Sequence, residues 1–224
     1  VNDVHARYDQ ITATGGVCTP KDEAEKKCVG GAARLQTKLK ELRGDNALFL
    51  DAGDQFQGTL FYTQYKHGAV QTVLGMLNPD AQTLGNHEFD DGPAGLRPYL
   101  DAVSWPVLSA NTDTSREPRL KDRYKPYTIV VKNGQRIGIV GLTSADTPTA
   151  SSPGPTVAFR NEAHALTRAV AALTQRGFSI HEAELPPGSV FRREGDVITL
   201  NAAAEPSAQV FQLLNLIARE TRGD

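Results

Sequence analysis

The sequence predicts an α/β protein in which a mixed β-sheet lies between helices on both sides. Three observations support this prediction. Short apolar runs alternate with amphipathic helices, a polar loop follows each apolar run, and an Asn-Gly pair later joins two β-rich runs. Repeated units of strand, polar loop and helix build a sheet layered between helices, and Asn-Gly is a strong signal for an antiparallel hairpin.

Composition limits the classes of protein to which this chain can belong. At 224 residues, with 39% hydrophobic and 22% charged residues, the chain has the length and balance of one soluble globular domain. A formal net charge of −2 provides no basic field, so we expect no nucleic-acid partner. The longest apolar runs are too short to cross a bilayer, so membrane attachment would need a segment that is not present in this sequence.

The N-terminal residues and the cysteines indicate where the chain begins and in which compartment the protein is found. Val1-Asn2-Asp3-Val4-His5 resembles the end of a strand, and no signal peptide precedes it, so we expect the chain to be incomplete there. Cys18 and Cys28 are the only cysteines and flank one polar loop. The pattern favours a loop-closing disulfide, and therefore an oxidising compartment, over two free thiols.

The first helix and strand follow from the spacing of apolar residues. Leu35, Leu39 and Leu42 recur at helical spacing, which predicts a helix over residues 29–42 that ends at Gly44. The wholly apolar run 47–50 suits a strand covered on both faces. The same unit predicts, in order, a helix over 69–77, a strand over 81–84, a loop over 85–92, a helix over 93–103 and a strand over 107–109.

The second half of the chain changes character. Asn133-Gly134 predicts a hairpin between residues 129–132 and 135–140. A turn-rich segment over 151–155 precedes an Ala- and Leu-rich helix over 162–175, which Gly177 ends.

The sequence pattern changes after Phe178. The sequence there predicts a short hairpin around residues 194–196 and a final helix from about Pro206 to Gly223. We therefore expect a main domain over 1–178 and a divergent tail with a terminal helix over 179–224.

Metal-binding side chains follow three of the predicted strands. They are Asp3 and His5 after the first, Asp54 after the second, and Asn86 and His87 after the third. Because sites in open α/β sheets form beyond the carboxyl ends of the strands, we expect these side chains to converge. Asp-x-His alone is a weak signal, and Asp54 alone could cap a helix. All of them together, each after an apolar run, indicate a site for Zn, Mn, Fe or Mg.

The motifs NDVH (2–5), DAGDQFQGT (51–59) and LGNHEFD (84–90) resemble the calcineurin-like metallophosphoesterase domain of the 5'-nucleotidase family. Ser109-Ala110-Asn111 and residues 140–143 match as well. The resemblance covers about residues 1–178, and the Cys18/Cys28 loop is most similar to animal ecto-5'-nucleotidases and their apyrase relatives. It implies the family's sandwich of mixed β-sheet and flanking helices, C-terminally incomplete, and an extracellular or cell-surface location.

The resemblance also implies a role for each matching residue. One metal ion would be bound by Asp3 and His5, Asp54 would bridge two ions, Asn86 would bind the second, and His87 would be the catalytic histidine with Asp90 as its partner. The implied activity is hydrolysis of nucleoside 5'-phosphates, small-molecule substrates, to nucleoside and phosphate. Two divalent ions, Zn, Mn or Mg, would be the cofactors. The sequence identifies no substrate-binding residue.

The chain departs from the family pattern after Phe178. The histidine loops that supply the family's remaining metal ligands are not found, and His181 is the one candidate substitute. The C-terminal domain that binds the nucleoside in the family is missing too. An alternative therefore stays open, in which the chain is a truncated, non-catalytic isoform or fragment with at most weak metal or nucleotide binding.

Overall fold

The computed structural model describes residues 1–44 and 46–178, together with the backbone of four short strands at 181–183, 191–194, 197–201 and 218–219. The helices are α1 (Pro20–Ala24), α2 (Ala32–Leu42), α3 (Leu60–Tyr65), α4 (His67–Leu77), α5 (Gly92–Ala102), α6 (Thr147–Ala150) and α7 (Glu162–Thr174). The strands are β1 (Ile11–Thr12), β2 (Cys28–Val29), β3 (Leu50–Asp51), β4 (Ala81–Thr83), β5 (Val107–Leu108), β6 (Thr112–Asp113), β7 (Tyr127–Lys132), β8 (Gln135–Val140), β9 (Ala158–Phe159), β10 (His181–Ala183), β11 (Phe191–Glu194), β12 (Val197–Asn201) and β13 (Ala218–Arg219). Among these helices, none combines the length and hydropathy that a membrane span needs.

A parallel sheet positions the candidate ligands. Its strands lie in the order β3-β4-β5, and each helix-containing connection returns the chain in the same direction. Residues 1–6 run alongside the end of β3, where Ala52 N donates to Val1 O at 2.8 Å and Asp3 N to Gly53 O at 3.1 Å. The first predicted ligands are thereby placed beside the carboxyl end of β3.

A second sheet contains the predicted hairpin. β7 and β8 pair antiparallel with Lys132 opposite Gln135. The two turn residues, Asn133 at φ 49° and Gly134 at φ 75°, both have the positive φ that a tight hairpin turn requires. On its other edge β8 pairs with β13.

Alternating side chains separate the molecule into four layers. Ala81 and Leu108 of the parallel sheet pack with Ile137 and Ile139 of the second sheet. On the outer face of the parallel sheet, Leu84 and Val107 belong to the core that includes α4 and α5. On the outer face of the second sheet, α7 packs against Val140. The predicted α/β sandwich with helices on both sides is confirmed, and its parallel and antiparallel pairs belong to separate, facing sheets.

The element bounds differ from prediction where local backbone geometry overrides apolar spacing. Helix α2 begins at Ala32 and not at residue 29, because Gly30 at φ 67° and Gly31 at φ 87° lie outside the right-handed helical region. The sequence analysis also missed α3, whose six residues are too few to show a helical repeat.

The described part of the tail bears on two predictions. The hairpin around residues 194–196 is confirmed, since Glu194 pairs with Val197 in the antiparallel ladder of β11 and β12. The terminal helix is wrong at Ala218–Arg219, which form a strand hydrogen-bonded to Ile137 and Gly138. The other residues of that predicted helix lie outside the described residues, and the division of the chain at Phe178 stays a prediction.

Candidate metal centre

Three of the predicted ligands meet beyond the carboxyl end of β3. Asp3, His5 and Asp54 each offer one ligand atom, and these atoms all lie within 4.8 Å of one another. Within the described residues this is the only group of three His, Cys, Asp or Glu side chains with that property. Two carboxylates and an imidazole are donors that suit a divalent cation.

The backbone at these ligands has an uncommon conformation. Asp3 (φ 51°), His5 (φ 50°) and Asp54 (φ 54°) all have positive φ, which is rare for residues other than glycine. The ladder that includes His5 N donating to Asp54 O at 3.1 Å holds the two segments together. Such strained backbone is concentrated at functional sites in proteins, because the surrounding structure must stabilise it.

Two glycines let the ligand loops approach each other. A Cβ atom on Gly53 would collide with the backbone of Gly85, and one on Gly85 would collide with the Asp54 carboxylate. Both glycines are therefore required by the close packing of the loops that follow β3 and β4.

A backbone carbonyl fixes the orientation of the His5 ring. Nδ1 of His5 lies 3.1 Å from Phe56 O. Because a carbonyl only accepts, Nδ1 is the donor in this contact, and Nε2 is the ring nitrogen on the side of Asp3, whose Oδ1 lies 3.7 Å away. Metal-binding histidines in proteins are commonly held in this way, by a hydrogen bond from the ring nitrogen that does not bind the metal.

The loop after β4 joins the same cluster. His87 N donates to Asp54 Oδ1 at 2.8 Å, and the His87 ring lies edge-on to His5 with centroids 4.9 Å apart. Asn86 precedes a single 3₁₀ turn over His87–Phe89 and is thus the neighbour of His87, whose amide bonds to Asp54. Its role as a ligand stays a prediction.

His87 and Asp90 form the predicted pair. His87 Nδ1 lies 2.7 Å from Asp90 Oδ2, and the other Asp90 oxygen accepts from Ser151 Oγ at 2.6 Å. Burial on its own would lower the pKa of His87, but the hydrogen bond and charge of Asp90, followed by the charge of Asp54, raise that pKa above its ordinary value. The His87 ring therefore holds its proton more tightly than a free imidazole does.

Glu88 joins the two loops that carry the candidate ligands, and the sequence analysis assigned it no role. Its side chain is fully buried, and its two oxygens accept four backbone amides, from Asp54 at 2.9 Å, Gln55 at 2.7 Å, Phe56 at 3.3 Å and Gly85 at 2.7 Å. Burial, followed by the charge of Asp54, raises the pKa of Glu88 to about 7. Its position next to His87 in a loop after a buried strand is a sequence signal, but that signal does not show that the side chain is buried.

Asn111 and the two cysteines have structural roles. Asn111 is buried, its Oδ1 accepts from Thr143 N at 2.8 Å, and its Nδ2 donates to Thr143 O at 2.6 Å and Arg160 O at 3.1 Å. It thereby ties the end of β5 to the segment after β8. Cys18 and Cys28 lie at disulfide distance, with Cα atoms 5.9 Å apart, and close the loop that contains α1.

Comparisons with known proteins bear on this arrangement. The family model for calcineurin-like phosphoesterases matches residues 1–188. The 5'-nucleotidase of Diplobatis ommata is 44% identical over 181 residues, which cover 79% of this chain and 30% of that protein. The snake venom 5'-nucleotidase of Gloydius brevicauda is 41% identical over 181 residues, with the same 79% and 30% coverage. The chain thus spans less than a third of the length of these relatives.

A solved structure shows the same architecture. The 5'-nucleotidase precursor from Thermus thermophilus superimposes with a TM-score of 0.72 at 32% identity, covering 90% of this chain and 47% of that one.

Proposed function

Since this chain belongs to the calcineurin-like phosphoesterase family, we propose that it hydrolyses nucleoside 5'-monophosphates to nucleoside and phosphate. The observation that carries the proposal is the convergence of Asp3, His5 and Asp54 within 4.8 Å, with the His87–Asp90 pair beside them. Relatives named 5'-nucleotidase support the choice of nucleotides as substrates.

Calcineurin-like phosphoesterases use a dinuclear centre of divalent metal ions. In this chain, Asp3 and His5 would hold one ion, Asn86 the other, and Asp54 would be shared. Oxygen and imidazole donors suit Zn, Mn or Mg. When bound, the two ions would supply a Lewis-acid clamp on the attacking and leaving oxygens of an in-line displacement.

The protein's own contribution is charge stabilisation by His87. Nδ1 of His87 donates its hydrogen bond to Asp90 Oδ2, so Nε2 is the ring nitrogen left to donate to a phosphoryl oxygen of the substrate. A protonated ring held in one orientation stabilises negative charge that develops on that oxygen, without reorganising during the reaction.

An extracellular location also belongs to this proposal. A Cys18–Cys28 disulfide would persist in an oxidising compartment, and one of the relatives is a venom protein. No sequence or structural feature of the described residues indicates a nucleic-acid partner.

The test is release of phosphate from AMP by the purified chain in the presence of Mn or Zn. We expect His87→Ala to lower kcat by about 10²- to 10³-fold, because one positioned donor to a developing negative charge contributes about that much. His164→Ala is the matched control, since His164 is exposed on α7, and it should retain the parent's activity. Metal analysis by mass spectrometry should find two ions per chain.

Either of two results would contradict the proposal. One is no phosphate release by the metal-loaded chain, which would favour the non-catalytic alternative. The other is release that does not depend on His87.

A further inference from the structure

A hydroxyl group from a distant segment contacts the carboxylate that orients His87. Ser151 lies 61 residues from Asp90 along the chain, and its Oγ donates to Asp90 Oδ1 at 2.6 Å. The other oxygen, Oδ2, lies 2.7 Å from His87 Nδ1. The two oxygens of Asp90 therefore have separate partners, one on each side of the carboxylate.

Ser151 is held in place by its own segment. Ser151 N donates to Thr147 O at 2.9 Å, directly after α6. Thr147 is fully buried, and its hydroxyl donates to Ser144 O at 2.6 Å. Ala145 N donates to Glu162 Oε1 at 2.7 Å, which connects this segment to α7. The hydroxyl of Ser151 is thus presented by a hydrogen-bonded segment and not by a free surface side chain.

Two other polar side chains, those of Lys66 and Tyr62, bind the neighbouring carboxylate of Asp91. Lys66 Nζ lies 3.0 Å from Asp91 Oδ2, and Tyr62 OH donates to that same oxygen at 2.9 Å. Neither group is bonded to Asp90, so neither takes the place of Ser151. Without the serine hydroxyl, the Asp90 carboxylate could rotate about its Cβ–Cγ bond and would bind His87 in more than one geometry.

We propose that Ser151 is a positioning residue for His87, acting through Asp90. The hydroxyl keeps Oδ2 of Asp90 directed at Nδ1 of His87, and so keeps the opposite nitrogen of the ring directed at the substrate. This proposal rests on the proposed phosphoesterase function. It adds a third member, drawn from the segment after β8, to the predicted pair of His87 and Asp90.

The kinetic test compares Ser151→Ala, Ser151→Thr and the parent on AMP with Mn. Ser151→Ala should lower kcat about tenfold and leave KM unchanged, because it weakens a hydrogen bond to a charged group without touching the substrate. Ser151→Thr keeps a hydroxyl at an extended backbone position, φ −149°, where a β-branched residue fits, so it should restore kcat. The matched control is Ser152→Ala, an exposed neighbour, which should behave as the parent.

A second readout does not depend on turnover. In the metal-free chain, nitrogen NMR should show His87 with Nδ1 protonated and hydrogen-bonded in the parent and in Ser151→Thr. Ser151→Ala should show averaged or shifted ring-nitrogen signals for His87, while its thermal unfolding stays within a few degrees of the parent.

The outcomes separate the two proposals. If the parent releases no phosphate, the proposed function fails, and the NMR comparison still decides the role of Ser151. If Ser151→Ala keeps the parent's kcat and His87 signals, the positioning role is overturned while the phosphoesterase function stands. Equal losses in the alanine and threonine variants would also overturn it, because they would indicate a packing role.

Discussion

Glu88 connects the two loops that carry the candidate ligands, and its replacement tests that connection. In Glu88→Gln an NH₂ group replaces one of the two carboxylate oxygens. This group cannot accept the hydrogen bonds that the backbone N–H groups donate to that oxygen. Leaving buried donors unpaired costs about 1–3 kcal/mol each, so we expect the free energy of unfolding to fall by about 3 kcal/mol. Urea unfolding measures the change, and metal content should fall with it.

The control for Glu88 is the same substitution on an exposed helix. Glu41 is exposed on α2, and its carboxylate pairs with Lys38 Nζ at 2.9 Å. Glu41→Gln should change the free energy of unfolding by less than about 0.5 kcal/mol. Equal effects of the two substitutions would refute the role given to Glu88.

Single residues were predictable where their chemistry is visible in the sequence. Asp3, His5 and Asp54 are metal-binding types that follow apolar runs, and the structure brings them together. Glu88 was not predictable in the same way, because a glutamate in a polar loop is usually exposed, and only the fold shows that it is fully buried. The hydroxyl of Ser151 reaches Asp90 through a contact across 61 residues, which sequence spacing does not show.

Between elements, helix α7 packs closely against β8 at Gly138. A Cβ atom on Gly138 would lie 3.0 Å from both methyl carbons of Leu173, which is fully buried. Gly138→Ala should therefore displace the helix and lower the free energy of unfolding by about 1–3 kcal/mol, as overpacking does.

A second glycine provides a control, for which the free energy of unfolding should change in the opposite direction. Gly75 is exposed in the last turn of α4, and a Cβ atom there would have no neighbour within 4 Å. Gly75→Ala should raise the free energy of unfolding by about 0.5–1 kcal/mol, because alanine favours the helix. Thermal unfolding of both variants measures the two changes in stability. If both substitutions stabilised the protein, or both destabilised it, the close contact of α7 with β8 would be contradicted.

Elements were predictable to the extent that their length shows a period. The hairpin of β7 and β8 has six residues in each strand and an Asn-Gly turn, and it was predicted. Strands β3 and β5 have two residues each, too few to show which side chains face inward. For that reason the sequence indicated a mixed sheet but not its separation into two facing sheets.

In the whole molecule, the pair of Cys18 and Cys28 closes a loop outside the layered core. The double variant Cys18→Ser/Cys28→Ser should lower the free energy of unfolding by about 2–3 kcal/mol, as loss of a disulfide that closes a short loop does. Metal content should not change, because neither cysteine contacts Asp3, His5 or Asp54. Calorimetry with and without reductant measures the effect.

Reductant provides the control. It should lower the unfolding temperature of the parent to that of the double variant and leave the double variant unaffected. A parent that is insensitive to reductant would show that the pair is not bonded in solution.

Positive φ at Asp3, His5 and Asp54 has a consequence for anyone who wishes to engineer this protein. Glycine adopts such a backbone without steric cost, so selection for heat resistance alone would favour glycine there. The resulting variants would be more stable and would have lost the side chains proposed to bind the metal ions. Libraries screened for robustness should therefore keep these three codons fixed.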